Sequence, residues 1–250
     1  MNRLTKILLL IWLVFSGCQS EKKTPLTIAT AANMQFAMKK LTADFTKQTG
    51  IACNLTVSSS GKLTAQIREG APYDLFVSAD LKYPRAIYEE GLALDTPKTY
   101  ARGRLVLWTL GESEPSVDML SRPEVHHIAL ANPKTAPYGV AAMQVLNNYQ
   151  LADELNDKLV FGESISQTNQ FILSGSAEMG FTAMSVVLSD EMKGKGKFTE
   201  IGVEYYTPIE QAMVMIKHPD KDSEAVKQFY DFMSSDAAHN ILVDFGYRLP

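Results

Sequence analysis

Cysteine is nearly absent from this sequence: Cys18 and Cys53 are the only two in 250 residues. That is too few for the disulfide framework that staples small secreted domains. Histidine is also sparse, and His126, His127, His218 and His239 have no second histidine or cysteine at helical metal-site spacing. There is no P-loop, no dinucleotide fingerprint and no G-x-S-x-G nucleophile elbow. Basic charge is not in excess: the formal net charge is −4 and no long basic run occurs, so electrostatics do not favour a nucleic-acid partner. Carboxylates are plentiful but fall mostly on helix faces, where a solvated role is the default; Asp74 and Asp80 flank one strand end as candidate turn formers. Catalysis therefore has little support, and an enzyme is not expected.

Long apolar runs are limited to one. Arg3 and Lys6 precede Ile7 to Phe15, and Ser16, Gly17 and Cys18 follow directly. A charged start, a short apolar run and a small-residue cleavage site make a secretory signal peptide. The run is too short to span a bilayer comfortably. Cysteine directly after Ser-Gly resembles a lipobox, which makes residues 1–17 a signal peptide and Cys18 the lipidated first residue of a polar tether, 18–24. Cys53 is then left alone in the apolar-alternating stretch Ile51 to Val57, where it reads as a small buried hydrophobe.

The remainder is ordinary globular sequence, 46% hydrophobic and 21% charged. At about 150 residues per domain, its length allows one large or two modest domains. Strand patterns at Leu26 to Ala31, Ile51 to Val57, Asp74 to Ser78, Arg104 to Leu110, Ile128 to Ala131, Lys158 to Phe161, Met179 to Thr182 and Gln211 to Ile216 alternate with helical ones. Met34, Met38, Leu41 and Phe45 recur at helical spacing up to Gly50, and two helices follow Asp222. This alternation predicts an α/β fold with mainly parallel sheets. No composition break divides the chain into successive domains.

Four polar junctions stand where a strand hands over to a helix. They are Thr30-Ala31-Ala32-Asn33, Ser58-Ser59-Ser60-Gly61, Ala136-Pro137-Tyr138-Gly139 and Glu163-Ser164-Ile165-Ser166-Gln167. Helix N-termini present free N–H groups and partial positive charge, and ligands of open α/β sheets favour that edge. Gly61 and Gly139 would let the backbone approach a ligand closely. Taken singly, Asn33, Ser60 and Ser166 read as ordinary N-caps and Tyr138 as a packing residue. Together, with no Arg or Lys at their tips, the junctions point to an anion held by dipoles rather than by counter-charge.

The stretch Ser58 to Asp80, SSSGKLTAQIREGAPYDLFVSAD, resembles the molybdate-binding proteins of ABC importers, as do Ala31-Ala32-Asn33, Asn132-Pro133, Ala136 to Gly139 and Phe245-Gly246-Tyr247. The resemblance implies a type II periplasmic-binding-protein fold: two α/β lobes, a ligand cleft and two crossings. Lobe I would take 25–102 plus 214–250, and lobe II 103–213. It also implies a site in which Asn33 donates through side chain and amide, Ala32 through its backbone only, Ser60 through hydroxyl and amide, and Tyr138 and Ile165 through their amides. Many relatives place a ligand-reaching Tyr where this chain has Ala183; the chain resembles a subgroup with Asn in the first turn and Tyr in the third.

The function so implied is capture of molybdate or tungstate by a periplasmic or extracytoplasmic, lipid-anchored monomer that serves an ABC permease, with no cofactor and with molybdenum present only as the bound oxyanion. Two alternatives stand beside it. One is a carrier of another tetrahedral oxyanion such as sulfate. The other is an exported hydrolase, for which Ser60 has no assigned histidine partner. A structural lipoprotein without a small ligand is a third reading.

Overall fold

The structure, a computed structural model, describes residues 24–218 and 224–250. The expected signal peptide, Cys18 and the tether up to residue 23 lie outside the described residues. No helix among the described residues is long and apolar enough to cross a membrane.

Two five-stranded sheets organise the chain. In the first, β1 (Leu26–Ala31), β2 (Cys53–Ser58), β3 (Leu75–Val77), β4 (Lys98–Gly103) and β10 (Ile209–Met215) lie in the order β2-β1-β3-β10-β4. In the second, β5 (Leu105–Thr109), β6 (Ile128–Ala131), β7 (Leu159–Gly162), β8 (Met179–Ala183) and β9 (Lys197–Glu200) lie in the order β7-β6-β8-β5-β9. Each sheet is mixed rather than mainly parallel. β1 runs parallel to β2 and β3, and β6 parallel to β7 and β8, because helical crossovers link them. β10 and β5 are the strands beside the inter-sheet crossings, and both run antiparallel to their neighbours.

Those crossings make two lobes. The chain leaves the first sheet at Gly103 and enters the second at Leu105. It returns between Glu200 and Ile209. The boundary expected at 213/214 falls inside β10, whose 7 residues all belong to the first sheet. The return crossing therefore precedes Ile209. Sequence patterning misses this because Pro208-Ile209-Glu210 has no apolar run, although Ile209 and Gln211 are both buried.

Burial explains which strands are legible. β5 (LVLWT) and β6 (IALA) are buried at every position, as strands covered on both faces must be. β4 (KTYARG) and β9 (KFTE) are the outer strands of their sheets and are partly exposed. Their polar sequences suit edges, which charged side chains protect from mispairing. The helix Gln35–Thr49 buries Met38, Leu41 and Phe45 against the first sheet. The C-terminal helices Glu224–Phe232 and Asp236–Asp244 pack on the same core, where the Phe229 ring meets Phe45 edge-on at 4.9 Å and 76°. Such a pair adds about 0.5–1.5 kcal/mol beyond its buried area.

Candidate functional site

All four polar junctions converge on one small cavity between the lobes. Ala31, Ala32 and Asn33 line it from the first, Ser59 and Ser60 from the second, Ala136, Pro137 and Tyr138 from the third, and Ile165 from the fourth, with Ala79 beside them. Every residue named from the sequence as a ligand contact, Ala32, Asn33, Ser60, Tyr138 and Ile165, lies in this lining. The centre of a water-sized sphere has about 10 Å³ of room there. That is room for about one water molecule, so the cavity as it stands is small and closely walled. The lining holds no carboxylate, imidazole, ammonium or guanidinium group. A larger groove of about 270 Å³ lies beyond Ala136 and Pro137, but Asp80 and Lys82 line it and it touches only the third junction.

The side chains named from the sequence are not plain caps. Asn33 sits within the 3₁₀ turn Ala32–Met34, whose N-cap is Ala31. Ser60 is the first helical residue after N-cap Ser59, and Ser166 the second after N-cap Ser164. Ser164 Oγ accepts from Gln167 N–H, whereas Ser166 Oγ crosses the cleft and donates to Gln35 Oε1 at 2.9 Å. Gly61 and Gly139 do approach backbone closely, but that backbone is the protein's own. A Cβ at Gly139 would lie 2.0 Å from Ala131 O, and one at Gly61 would lie 3.0 Å from Thr135 O.

Three helices begin at the cavity. They are Ser60–Arg68, Pro137–Asn148 and Ile165–Leu173. Their first-turn N–H groups have no partner within the helix and carry the positive end of the dipole. Pro137 has no N–H, and Gly139 N–H bonds Ala136 O, so Tyr138 supplies the first open amide of its helix. Ser60 Oγ accepts from Ala79 N–H at 3.0 Å. That bond occupies a lone pair and leaves the Ser60 hydroxyl hydrogen to donate.

Asn33 departs from expectation. Its Nδ2 donates to Gln211 Oε1 at 2.9 Å and to Tyr247 Oη at 3.1 Å. Both amide hydrogens are thus engaged by the protein's own oxygens rather than left free to donate.

A buried polar network backs the cavity. Asn33 Nδ2, Tyr247 Oη, Ser185 Oγ and Asn33 O form a closed ring of donors and acceptors, with Ser185 Oγ donating to Asn33 O at 2.8 Å and Tyr247 Oη donating to Ser185 Oγ at 2.9 Å. Gln211 Oε1 accepts from Tyr100 Oη at 2.9 Å, and Gln211 Nε2 donates to Tyr138 Oη at 3.1 Å. Tyr138 and Ser185 belong to the second lobe and the others to the first, so the network spans the cleft. Burial raises the pKa of Tyr100, Tyr138 and Tyr247, keeping all three as neutral hydrogen-bonding phenols. Ala183 is fully buried at the end of β8, two residues before Ser185.

Sequence reading placed Ser59 in its junction without singling it out, and missed Gln211, Tyr100, Ser185 and the role of Tyr247. Gln211 carried the one available signal, an uncharged polar residue within the apolar strand pattern of β10. Cys53 is half-buried, and burial pushes its thiol pKa up to about 11, which suits an inert thiol rather than a nucleophile. No group of three or more potential metal-ligating side chains occurs among the described residues.

Comparison with known proteins gives a consistent picture. Residues 26–248 match the family described as bacterial extracellular solute-binding protein. The molybdate-binding protein ModA of Azotobacter vinelandii is 36% identical over 225 residues, 89% of each chain. ModA of Rhodobacter capsulatus is 36% identical over 221 residues, 88% of this chain and 86% of that one. The solved periplasmic molybdate-binding protein of Azotobacter vinelandii superposes with a TM-score of 0.84, covering 90% of this chain and 99% of its own.

Proposed function

The chain belongs to the bacterial extracellular solute-binding protein family, and from that premise we propose that it captures molybdate, or the similar oxyanion tungstate, for uptake by an ABC importer. One observation carries the reading. Four turns from two lobes surround a cavity whose lining offers amide and hydroxyl donors and no ionised group. Molybdate carries no proton near neutral pH, so every group facing it should donate. Phosphate retains a proton there and calls for an acceptor such as a carboxylate, which this lining lacks. Sulfate is also a pure acceptor and differs chiefly in size.

In this reading Ala32, Asn33, Tyr138 and Ile165 bind through backbone N–H groups and Ser60 through both amide and hydroxyl. Oriented donors in a water-poor cleft bind tightly because little reorganisation accompanies ligand entry. Residues 25–103 with 209–250 act as one lobe and 104–208 as the other. The protein works as a monomer, is held at the membrane by lipid on Cys18 and presents its closed form to the permease.

Titration calorimetry with molybdate, tungstate, sulfate and phosphate tests the proposal. Molybdate and tungstate should bind one per chain, sulfate more weakly and phosphate not measurably. Sulfate binding as tight as molybdate would move the assignment to a sulfate carrier.

A further inference from the structure

We propose that the Ser59 hydroxyl is an additional donor to the bound oxyanion, and so a determinant of affinity in its own right. The inference rests on the oxyanion-binding reading above and goes beyond it, since that reading gives the second turn's hydroxyl contact to Ser60 alone. Ser59 lines the cavity and is only 2% exposed. Its Oγ is buried and has no hydrogen-bond partner in the protein. Buried hydroxyls are ordinarily satisfied, and one left unsatisfied costs free energy.

Local geometry makes the orphan hydroxyl more telling. Ser59 is the N-cap of Ser60–Arg68, with extended φ −71° and ψ 151°, yet its side chain makes no capping bond. Serine at an N-cap normally accepts from the second or third amide of the helix. Here Gly61 N–H, the second amide, donates instead to Thr135 O across the cleft at 2.9 Å. The neighbouring Ser60 Oγ is held by Ala79 N–H. The Ser59 hydroxyl is thus released from capping at the edge of a cavity otherwise supplied with donors. An anion there gives its O–H a charged acceptor, and charge-assisted bonds are the strong class.

This placement gives two effects of opposite sense, which a packing or capping role does not. Ser59→Ala should weaken molybdate binding about tenfold or more, the usual range for a bond to a charged partner. It should leave the melting temperature of the ligand-free protein unchanged or higher, because the orphan hydroxyl is gone and no capping bond is lost. Ser59→Gly, which also removes the hydroxyl and is tolerated at N-caps, serves as the second variant. Calorimetry with sodium molybdate on the parent, both Ser59 variants and Ser60→Ala reads the result. Weakened binding in both Ser59 variants with undiminished ligand-free stability supports the proposal. Parental affinity in either folded Ser59 variant overturns it, while loss in Ser60→Ala alone would leave the oxyanion reading standing. A parent protein that binds neither molybdate nor tungstate overturns both.

Discussion

Gln211 Nε2 donates to Tyr138 Oη at 3.1 Å, tying the returning strand of the first sheet to the opening turn of a helix on the second. The same glutamine holds Asn33 Nδ2 and Tyr100 Oη through its Oε1, both at 2.9 Å. One fully buried side chain therefore positions turns from both lobes. Gln211→Met keeps length and removes every polar atom, leaving Tyr138 Oη and one Asn33 amide hydrogen short of a partner, while Tyr100 Oη still has Ser78 O at 3.0 Å to donate to. Each orphan costs roughly 1–3 kcal/mol, so ligand-free stability should fall measurably in urea titrations. Molybdate affinity should fall as well, because closure loses a cross-cleft bond. Tyr138→Phe should reproduce part of both losses. In the double variant the losses should fall short of their sum by more than about 0.5 kcal/mol, the usual scatter for independent sites. Strict additivity would show that the two residues do not act together.

Much of this arrangement is legible in sequence, and the illegible part has a physical cause. The four junctions stand out because strand ends and helix starts have local signatures, and local signatures survive in a linear string. β4 and β9 do not stand out, because edge strands carry little apolar patterning. The bond between Asn33 and Tyr247 joins residues 214 apart, so only the fold brings them together. Ser59 and Ser60 are indistinguishable in a serine run, and only the position of Ala79 N–H separates their roles.

The proposed lipid anchor has its own test. The apolar run ending at Ser16-Gly17-Cys18 should direct lipidation, and multiple acyl chains hold a protein firmly where one does not. Cys18→Ala should shift the protein from the membrane fraction to the soluble fraction or leave it unprocessed. Unchanged fractionation and unchanged mass would remove Cys18 as the anchor.

Acidity should matter little to binding. No Asp, Glu, His, Lys or Arg lines the cavity, so molybdate affinity should stay level from about pH 6 to 9. Stability has a different limit. Burial raises the pKa of Tyr100, Tyr138 and Tyr247 in the fold above the unfolded value of about 10. Their contribution is fully present below that value and is lost progressively as pH rises from it through the higher folded pKa, since the unfolded chain ionises first. Melting temperature should therefore decline above about pH 10. A slope of one proton per pH unit in the binding titration would reveal an ionisable ligand group.

Charge at the mouth of the cleft should contribute far less than the buried network. Lys62 pairs with Glu163 across the lobes, but the two side chains are 40% and 68% exposed. Exposed pairs are worth about 0–1 kcal/mol and are screened by salt. Glu163→Gln should shift molybdate affinity no more than about fivefold, and the shift should vanish in molar salt. A larger, salt-insensitive loss in calorimetry would place Glu163 in the binding machinery.

Asn33 and Ser60 should separate sharply, although sequence alone gives them equal roles. Ser60→Ala removes a hydroxyl whose hydrogen is left to donate and whose oxygen is already held by Ala79 N–H. Hydrogen bonds to charged groups are worth roughly 1.5–3 kcal/mol, so affinity should fall about ten- to a hundredfold. Asn33→Ala keeps the backbone N–H but breaks the bonds to Gln211 and Tyr247, leaving their buried oxygens short of donors. Its main cost should appear in ligand-free stability, with a smaller loss of affinity through misplacement of the first turn. Asn33→Asp goes further. It sets a carboxylate against Gln211 Oε1, which has no hydrogen to offer it, and beside the proposed anion site, where like charges repel. Molybdate binding should be abolished there, while the folded protein should be weakened no more than in Asn33→Ala once the carboxyl is protonated at low pH. Equal affinity losses in Ser60→Ala and Asn33→Ala, with no difference in ligand-free melting, would restore the Asn33 side chain as a direct donor.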